Sequence, residues 1–224
     1  LYEDRACALW VGTFGGGLNK YDRGAENFAG LQFGVGALQG ISPSAVMSIL
    51  EGRDSALWLG TNGSGLIRYD RASKDVSHYQ HDPADAGSLA QNSIWEIFED
   101  RMGVLWIGTE SQGLDRFDQA TGKFTHYQHD SVDPNSLSNN GVYAILEDRA
   151  GNLWIGTNGG GLNQLDRETG AFARYQHDPE DPGSLSHNNL SVIHEDQKGT
   201  LWIGTWGGGI SRLDHGSGQF VRYQ

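Results

Sequence analysis

Leu153-Trp154-Ile155-Gly156-Thr157-Asn158-Gly159-Gly160-Gly161-Leu162 decides the fold, because the same pattern stands at four other places in the chain. Trp followed by an aliphatic residue, Gly and Thr begins at Trp10, Trp58, Trp106, Trp154 and Trp202, each 48 residues after the last. Self-similarity at a fixed period of this size marks an architecture of stacked repeats.

Outward from the Trp, each unit reads the same way. Six residues earlier stands an acidic turn position, Asp4, Asp100, Asp148 and Asp196, with Gly52 as the exception. After the Gly-rich turn comes a short run ending in Asp (Leu162–Asp166), a turn at Arg167-Glu168-Thr169-Gly170, and a second run, Ala171–Gln176. The long connection His177-Asp178-Pro179-Glu180-Asp181-Pro182-Gly183-Ser184 leads to the next run, Leu190–Glu195. These are strand-like segments rich in β-branched and aromatic residues, separated by Gly, Asp, Asn and Pro, and none has helical length or period. One four-stranded sheet cannot bury both its faces, so neighbouring units must stack on it.

Radial stacking of such sheets is the β-propeller, so the sequence predicts an all-β fold of five four-stranded antiparallel blades, with residues 1–224 as a single domain. The Trp is expected to fill the space between blades, the Gly after it to allow close approach, and the Thr to hydrogen-bond into the Gly turn. Five blades either close as a ring or stand as consecutive blades of a larger propeller. Closure is favoured here, because an open arc exposes a blade face.

Composition narrows the partners. With 16 Lys and Arg against 28 Asp and Glu the net charge is −12, which repels nucleic acid and anionic membranes. No apolar run is long enough to insert in a bilayer. Cys7 is the one cysteine, so no internal disulfide forms.

Alternate connections of an up-and-down blade share a face, which puts the Gly-rich turns and the long His-Asp-Pro connections together. Loops of that length and polarity make this the candidate binding face. There the fourth residue after each Trp breaks the repeat: Phe14, Asn62, Glu110, Asn158 and Trp206. Two aromatics, two amides and a carboxylate suit a small-molecule or glycan ligand. Asn92, Asn140 and Asn188 begin the inner strands on the same face and either line the channel mouth or cap a turn.

Catalysis and metals find little purchase. His78 and His81, and His126 and His129, are three apart, an odd spacing that sends strand side chains to opposite faces. His81, His129 and His177 are instead expected to shape the loop that follows. The acidic loops lack the dense ligand pattern of a calcium site, and no cofactor motif is present. No nucleophile elbow occurs. Glu110 with Glu96 is the one carboxylate pair a glycosidase reading could use, and the sequence favours no catalytic residue.

The stretch Glu147-Asp148-Arg149-Ala150-Gly151-Asn152-Leu153-Trp154-Ile155-Gly156-Thr157-Asn158-Gly159-Gly160-Gly161-Leu162-Asn163 resembles the two-component regulator propeller repeat, and the likeness recurs in all five units. That resemblance implies a periplasmic or extracellular sensor region of a bacterial two-component signalling protein. It also implies that the membrane span, the output domain and any homodimer belong to the parent protein. A lectin-like propeller is the alternative.

Overall fold

A computed structural model describes residues 1–14, 16–30, 45–214 and 216–223. Each run of the repeat is a strand. Blade one holds β1 (Tyr2–Glu3), β2 (Leu9–Thr13), β3 (Gly17–Asp22) and β4 (Asn27–Gly30). Blade two holds β5 (Val46–Glu51), β6 (Leu57–Thr61), β7 (Leu66–Tyr69) and β8 (Val76–Tyr79). Blade three holds β9 (Ile94–Glu99), β10 (Leu105–Thr109), β11 (Leu114–Asp118) and β12 (Lys123–Tyr127). Blade four holds β13 (Val142–Glu147), β14 (Leu153–Thr157), β15 (Gly161–Leu165) and β16 (Phe172–Tyr175). Blade five holds β17 (Leu190–Glu195), β18 (Leu201–Thr205), β19 (Gly209–Asp214) and β20 (Gln219–Tyr223). Every blade is one antiparallel sheet with its strands paired in chain order. The first strands of blades two to five lie side by side and form the inner wall.

The apolar cores lie between blades. Trp106 and Leu114 of blade three bury against Val142, Ile145, Leu153, Ile155, Leu165 and Phe172 of blade four. The same set recurs at the other three seams, around Trp10 with Leu18, Trp58 with Leu66, and Trp154 with Leu162. Burying an indole is worth about 4–6 kcal/mol at ~25 cal/mol per Å2, so these Trp residues dominate each seam. The Gly after the aliphatic residue permits the approach: a Cβ at Gly108 would lie 2.8 Å from the Val142 carbonyl oxygen of the next blade.

The acidic turn position orients the indole. Asp100 accepts the Trp106 Nε1–H at 2.9 Å, and Asp4, Asp148 and Asp196 hold Trp10, Trp154 and Trp202 at 2.8, 2.8 and 3.0 Å. Burial raises the Asp4 pKa, but the Trp10 indole, the Ala8 and Ala6 amides and Arg71 outweigh it and leave the carboxyl lowered. The Asp196 carboxyl is held down to about 2, chiefly by Trp202 and the Thr200 amide.

An arginine from the following blade completes this clasp. Arg167 bridges Asp100 at 3.1 Å and Glu147 at 3.0 Å, and Arg71 joins Asp4 at 2.6 Å while also pairing with Glu51. At the seam between blades two and three both partners change together, Gly52 replacing the Asp and Gln119 the Arg. The Trp58 Nε1–H there has no partner among the described residues. An Asp100→Ala variant strands the Trp106 Nε1–H and leaves Arg167 with Glu147 alone, and we expect a loss of about 2–4 kcal/mol in denaturant unfolding.

Outer strands fasten the long connections. Arg174 and Arg222 donate to the Ser136 and Ser184 carbonyls at 2.8 and 2.9 Å. In blade three His126 takes this place, with Nδ1 2.6 Å from the buried Asp115 carboxylate and Nε2 3.0 Å from the Ala86 carbonyl. Two acceptors on one ring favour the imidazolium. The Asp115 hydrogen bond leads the effects that raise the His126 pKa. A raised imidazole pKa stabilises the fold fully below its unfolded value near 6.5, and that contribution is lost as pH climbs through the folded value. The thermal midpoint of the native chain relative to His126→Gln should therefore fall on going from pH 6 to pH 9; a difference constant across that range would contradict the assignment.

Ring closure, the sequence expectation, is not what the end faces show. Ile210 is 46% exposed, whereas its counterparts Leu66, Leu114 and Leu162 are fully buried by the next blade. Val192 and Tyr223 beside it are also exposed. At the other end Phe28 is 56% exposed, although Phe124, Phe172 and Phe220 are buried. An arc wider than its own closure leaves each terminal blade one uncovered face.

Candidate functional site

The repeat-breaking residues Phe14, Asn62, Glu110, Asn158 and Trp206 all sit directly after the Thr that ends a second strand, and all are exposed. Each Thr hydroxyl donates into the Gly turn, as Thr109 does to the Gly113 carbonyl at 2.8 Å. The amide of the next residue then bonds the chain just before its own blade's first strand: Asn62 to Ala45, Glu110 to Ser93, Asn158 to Gly141 and Trp206 to Asn189, at 2.9–3.0 Å. These side chains are thus fixed around the mouth of the inner wall. Phe14 (80% exposed) and Trp206 (67%) stand at its two ends, on the terminal blades.

The centre of the mouth holds two aromatics that pattern reading passed over, Trp95 and Tyr143. Their rings lie 4.8 Å apart at 32°, and the Tyr143 hydroxyl accepts the Asn158 amide at 3.2 Å. Beside them the Ser93 hydroxyl donates to Asn62 at 3.1 Å. A β-bulge produces this arrangement. Ile94 pairs with Thr109 and Glu96 with Gly108, so Trp95 has no opposite residue; the register slips likewise at Val46/Ser48, Val142/Ala144 and Leu190/Val192. A bulge re-aims the extra side chain. The signal was present in the sequence as another non-repeating column, Met47, Trp95, Tyr143 and Ser191.

Deeper on the inner wall, Ser48, Ala144 and Val192 occupy a position that Glu96 fills in blade three. Glu96 lines a recess of about 200 Å3 with Met47, Ser48 and Ile49. No arginine, lysine or histidine pairs with it among the described residues. Burial pushes its carboxyl up to about 7, against a smaller opposing effect from the Ile97 amide. Glu110 is level with Ser93, three residues or about 10 Å along the strand from Glu96. The pair named from sequence therefore occupies different depths, one exposed at the rim and one in the wall.

Asn92, Asn140 and Asn188 work on the loops. Their side-chain oxygens accept the amides of His81, His129 and His177 at 2.8, 2.7 and 2.6 Å, and their backbone carbonyls receive the Gly turn of the preceding blade. The three histidines in turn meet the Leu89, Leu137 and Leu185 carbonyls through Nδ1 at 2.7–2.8 Å. Among the described residues no group of three His, Cys, Asp or Glu side chains gathers as for a metal.

Two larger recesses lie elsewhere. One of about 460 Å3 opens on the same face, between His81, Gln91, Asn92, Ser93 and Gln112. Another of about 640 Å3 lies toward the opposite turns, by Asn152, Gln164, Asp166, Arg167 and Phe172. Of the second recess's residues Asp166 recurs in every blade, whereas Asn152 and Gln164 do not.

Fold and rim together define a propeller of four-stranded blades carrying non-repeating side chains on a repeating frame. Residues 88–111, 136–159 and 184–207 match the family model of the two component regulator propeller. Each match runs from the Ser before the inner strand to just past the Thr. The extracellular domain of the putative hybrid two component system BT3049 from B. thetaiotaomicron is similar at 28% identity and TM-score 0.81, over 98% of this chain and 29% of that one. The corresponding domain of BT4673 from the same organism is similar at 25% identity and TM-score 0.56, over 99% and 34%. The chain thus spans about a third of the length of these neighbours. Virginiamycin B lyase from Staphylococcus aureus shares the fold at 16% identity and TM-score 0.70, over 100% and 68%. No curated protein matches the chain.

An elevated glutamate is directly observable. Carboxyl-resolved NMR titration should show one glutamate with a midpoint near 7 that vanishes in Glu96→Gln. A raised carboxylate pKa costs stability as pH rises from its ordinary 4.5 through 7, so Glu96→Gln should be the more stable form at pH 8.

Proposed function

We propose that this propeller is a non-catalytic, ligand-binding sensor region lying outside the cytoplasm in a two-component signalling protein. The observation that carries the reading is the mouth: Trp95, Tyr143, Asn62, Asn158 and Glu110 differ from blade to blade on a frame that is otherwise repeated. Repetition alone serves packing; departure from it on an exposed rim serves recognition. The similarity to extracellular domains of putative hybrid two component systems supports the signalling context and the location.

A small, neutral or amphipathic ligand such as a glycan fragment fits the rim. Aromatic faces receive its apolar side, and the amides of Asn62 and Asn158 exchange hydrogen bonds with its hydroxyls. The net charge of −12 disfavours anionic ligands.

Screening the chain against a glycan array and a small-molecule thermal-shift panel tests this. A ligand found there should bind about five- to thirtyfold more weakly to Trp95→Ala and to Asn158→Ala, since each loses a contact worth ~1–2 kcal/mol. Binding unchanged in both variants and in the Phe14→Ala/Trp206→Ala double variant would move the site off this face. Turnover of a bound glycan, abolished by Glu110→Gln, would overturn the non-catalytic reading.

A further inference from the structure

Glu96 brings a charge to a position of the inner wall that Ser48, Ala144 and Val192 hold in other blades. Strands β5, β6, β10 and β13 pack against β9, and none of them brings a counter-charge. β6 and β10 carry no ionisable side chain. β13 brings Tyr143, at the mouth. Its Glu147 and the Glu51 of β5 are held by Arg167 and Arg71 at the far end of the wall. The other acid of β9, Glu99, accepts the Arg53 amide there.

We propose that Glu96 and Ser48 anchor the protonated amino group of a small ligand that enters by this mouth. The inference rests on the mouth being the ligand's entrance, and it narrows the ligand to one that bears an amine.

The recess has the donors and acceptors for this. The Ile97 amide donates to the Ser48 hydroxyl at 3.1 Å and also faces the Glu96 carboxyl, so the two oxygen groups stand together. An ammonium has three donors and no acceptor, the complement of a carboxylate beside a hydroxyl oxygen. A hard metal ion wants about six to eight oxygens, and one carboxylate is a poor start on them. The recess of about 200 Å3 far exceeds the ~15 Å3 that admits one water, and its accessible lining is mainly polar. Met47 lines it and is the bulge residue of blade two, in the column of Trp95 and Tyr143, so the recess reaches the level of the mouth aromatics.

Electrostatics favour the same occupant. An unpaired carboxylate in such a wall is costly, and burial has pushed this one up to about 7. A bound ammonium relieves that cost and stabilises the charged form. None of the side chains placed at the mouth is Lys or Arg, and the net charge of −12 draws cations to the molecule.

Butylammonium chloride is the probe. In carboxyl-resolved NMR, saturating amine should lower the Glu96 midpoint by at least about one pH unit, and equal sodium chloride or 1-butanol should leave it in place. Calorimetric binding of the amine at pH 8 should weaken at least about tenfold in Glu96→Gln and several-fold in Ser48→Ala. A midpoint that the amine does not move would overturn the proposal. So would equal binding to Glu96→Gln, or an equal shift with sodium or with the alcohol. A ligand from the screen above that is weakened by Trp95→Ala but not by Glu96→Gln would overturn this anchor and leave the rim reading standing. Amine binding that needs Glu96 and ignores Trp95→Ala would support the anchor while removing the rim.

Discussion

The Trp-to-Asp hydrogen bond across the first turn of four of the five blades is the constraint on which the architecture depends. An indole buried between sheets contributes several kcal/mol, but its N–H must find a partner in a place without water. A carboxylate six residues earlier supplies it, and for Asp4 and Asp100 the next blade's arginine neutralises the carboxylate. One side-chain chain thereby joins the turn, the second strand and the neighbouring blade. The Leu-Trp-Ile strand is buried on both faces, so a blade has little independent stability. The propeller holds together as a succession of seams.

This arrangement separates the positions that pack from the positions that vary. Packing uses the positions that repeat: Trp, the flanking aliphatics, the Gly that admits the next blade, the Asn and His that fix the loop. What remains free of packing is the residue after the Thr and the extra residue of the bulge. Both project at the same mouth, one from the second strand and one from the first, so substitutions there leave the seams intact.

The fold was legible because a 48-residue period with Trp, Gly and Thr at fixed offsets admits few architectures. The roles of Thr, Gly and the loop histidines followed from the same regularity. Trp95 and Tyr143 were not found, although they broke the repeat as clearly as Phe14 or Glu110. Strand alternation cannot say where the extra residue of a bulge points, since the bulge is a property of pairing between strands. The two Asn roles weighed for Asn92, Asn140 and Asn188 could not be separated without the loop geometry that places His81, His129 and His177 against them. Closure failed as an expectation for a physical reason: avoiding an exposed face favours a covered end, and says nothing of what covers it.

The exchange of Asp for Gly52 and of Arg for Gln119 gives the propeller a mechanical non-uniformity. An indole–carboxylate bond stands in the blade on the near side of every other seam, whereas this seam relies on its apolar core and on Arg53, which bonds Glu99, Asp100 and Arg101. That seam, between blades two and three, runs beneath Asn62 and Ser93 and next to Trp95 and Glu96. The seam without the indole–carboxylate bond is therefore also the one that meets the rim where the blades differ most.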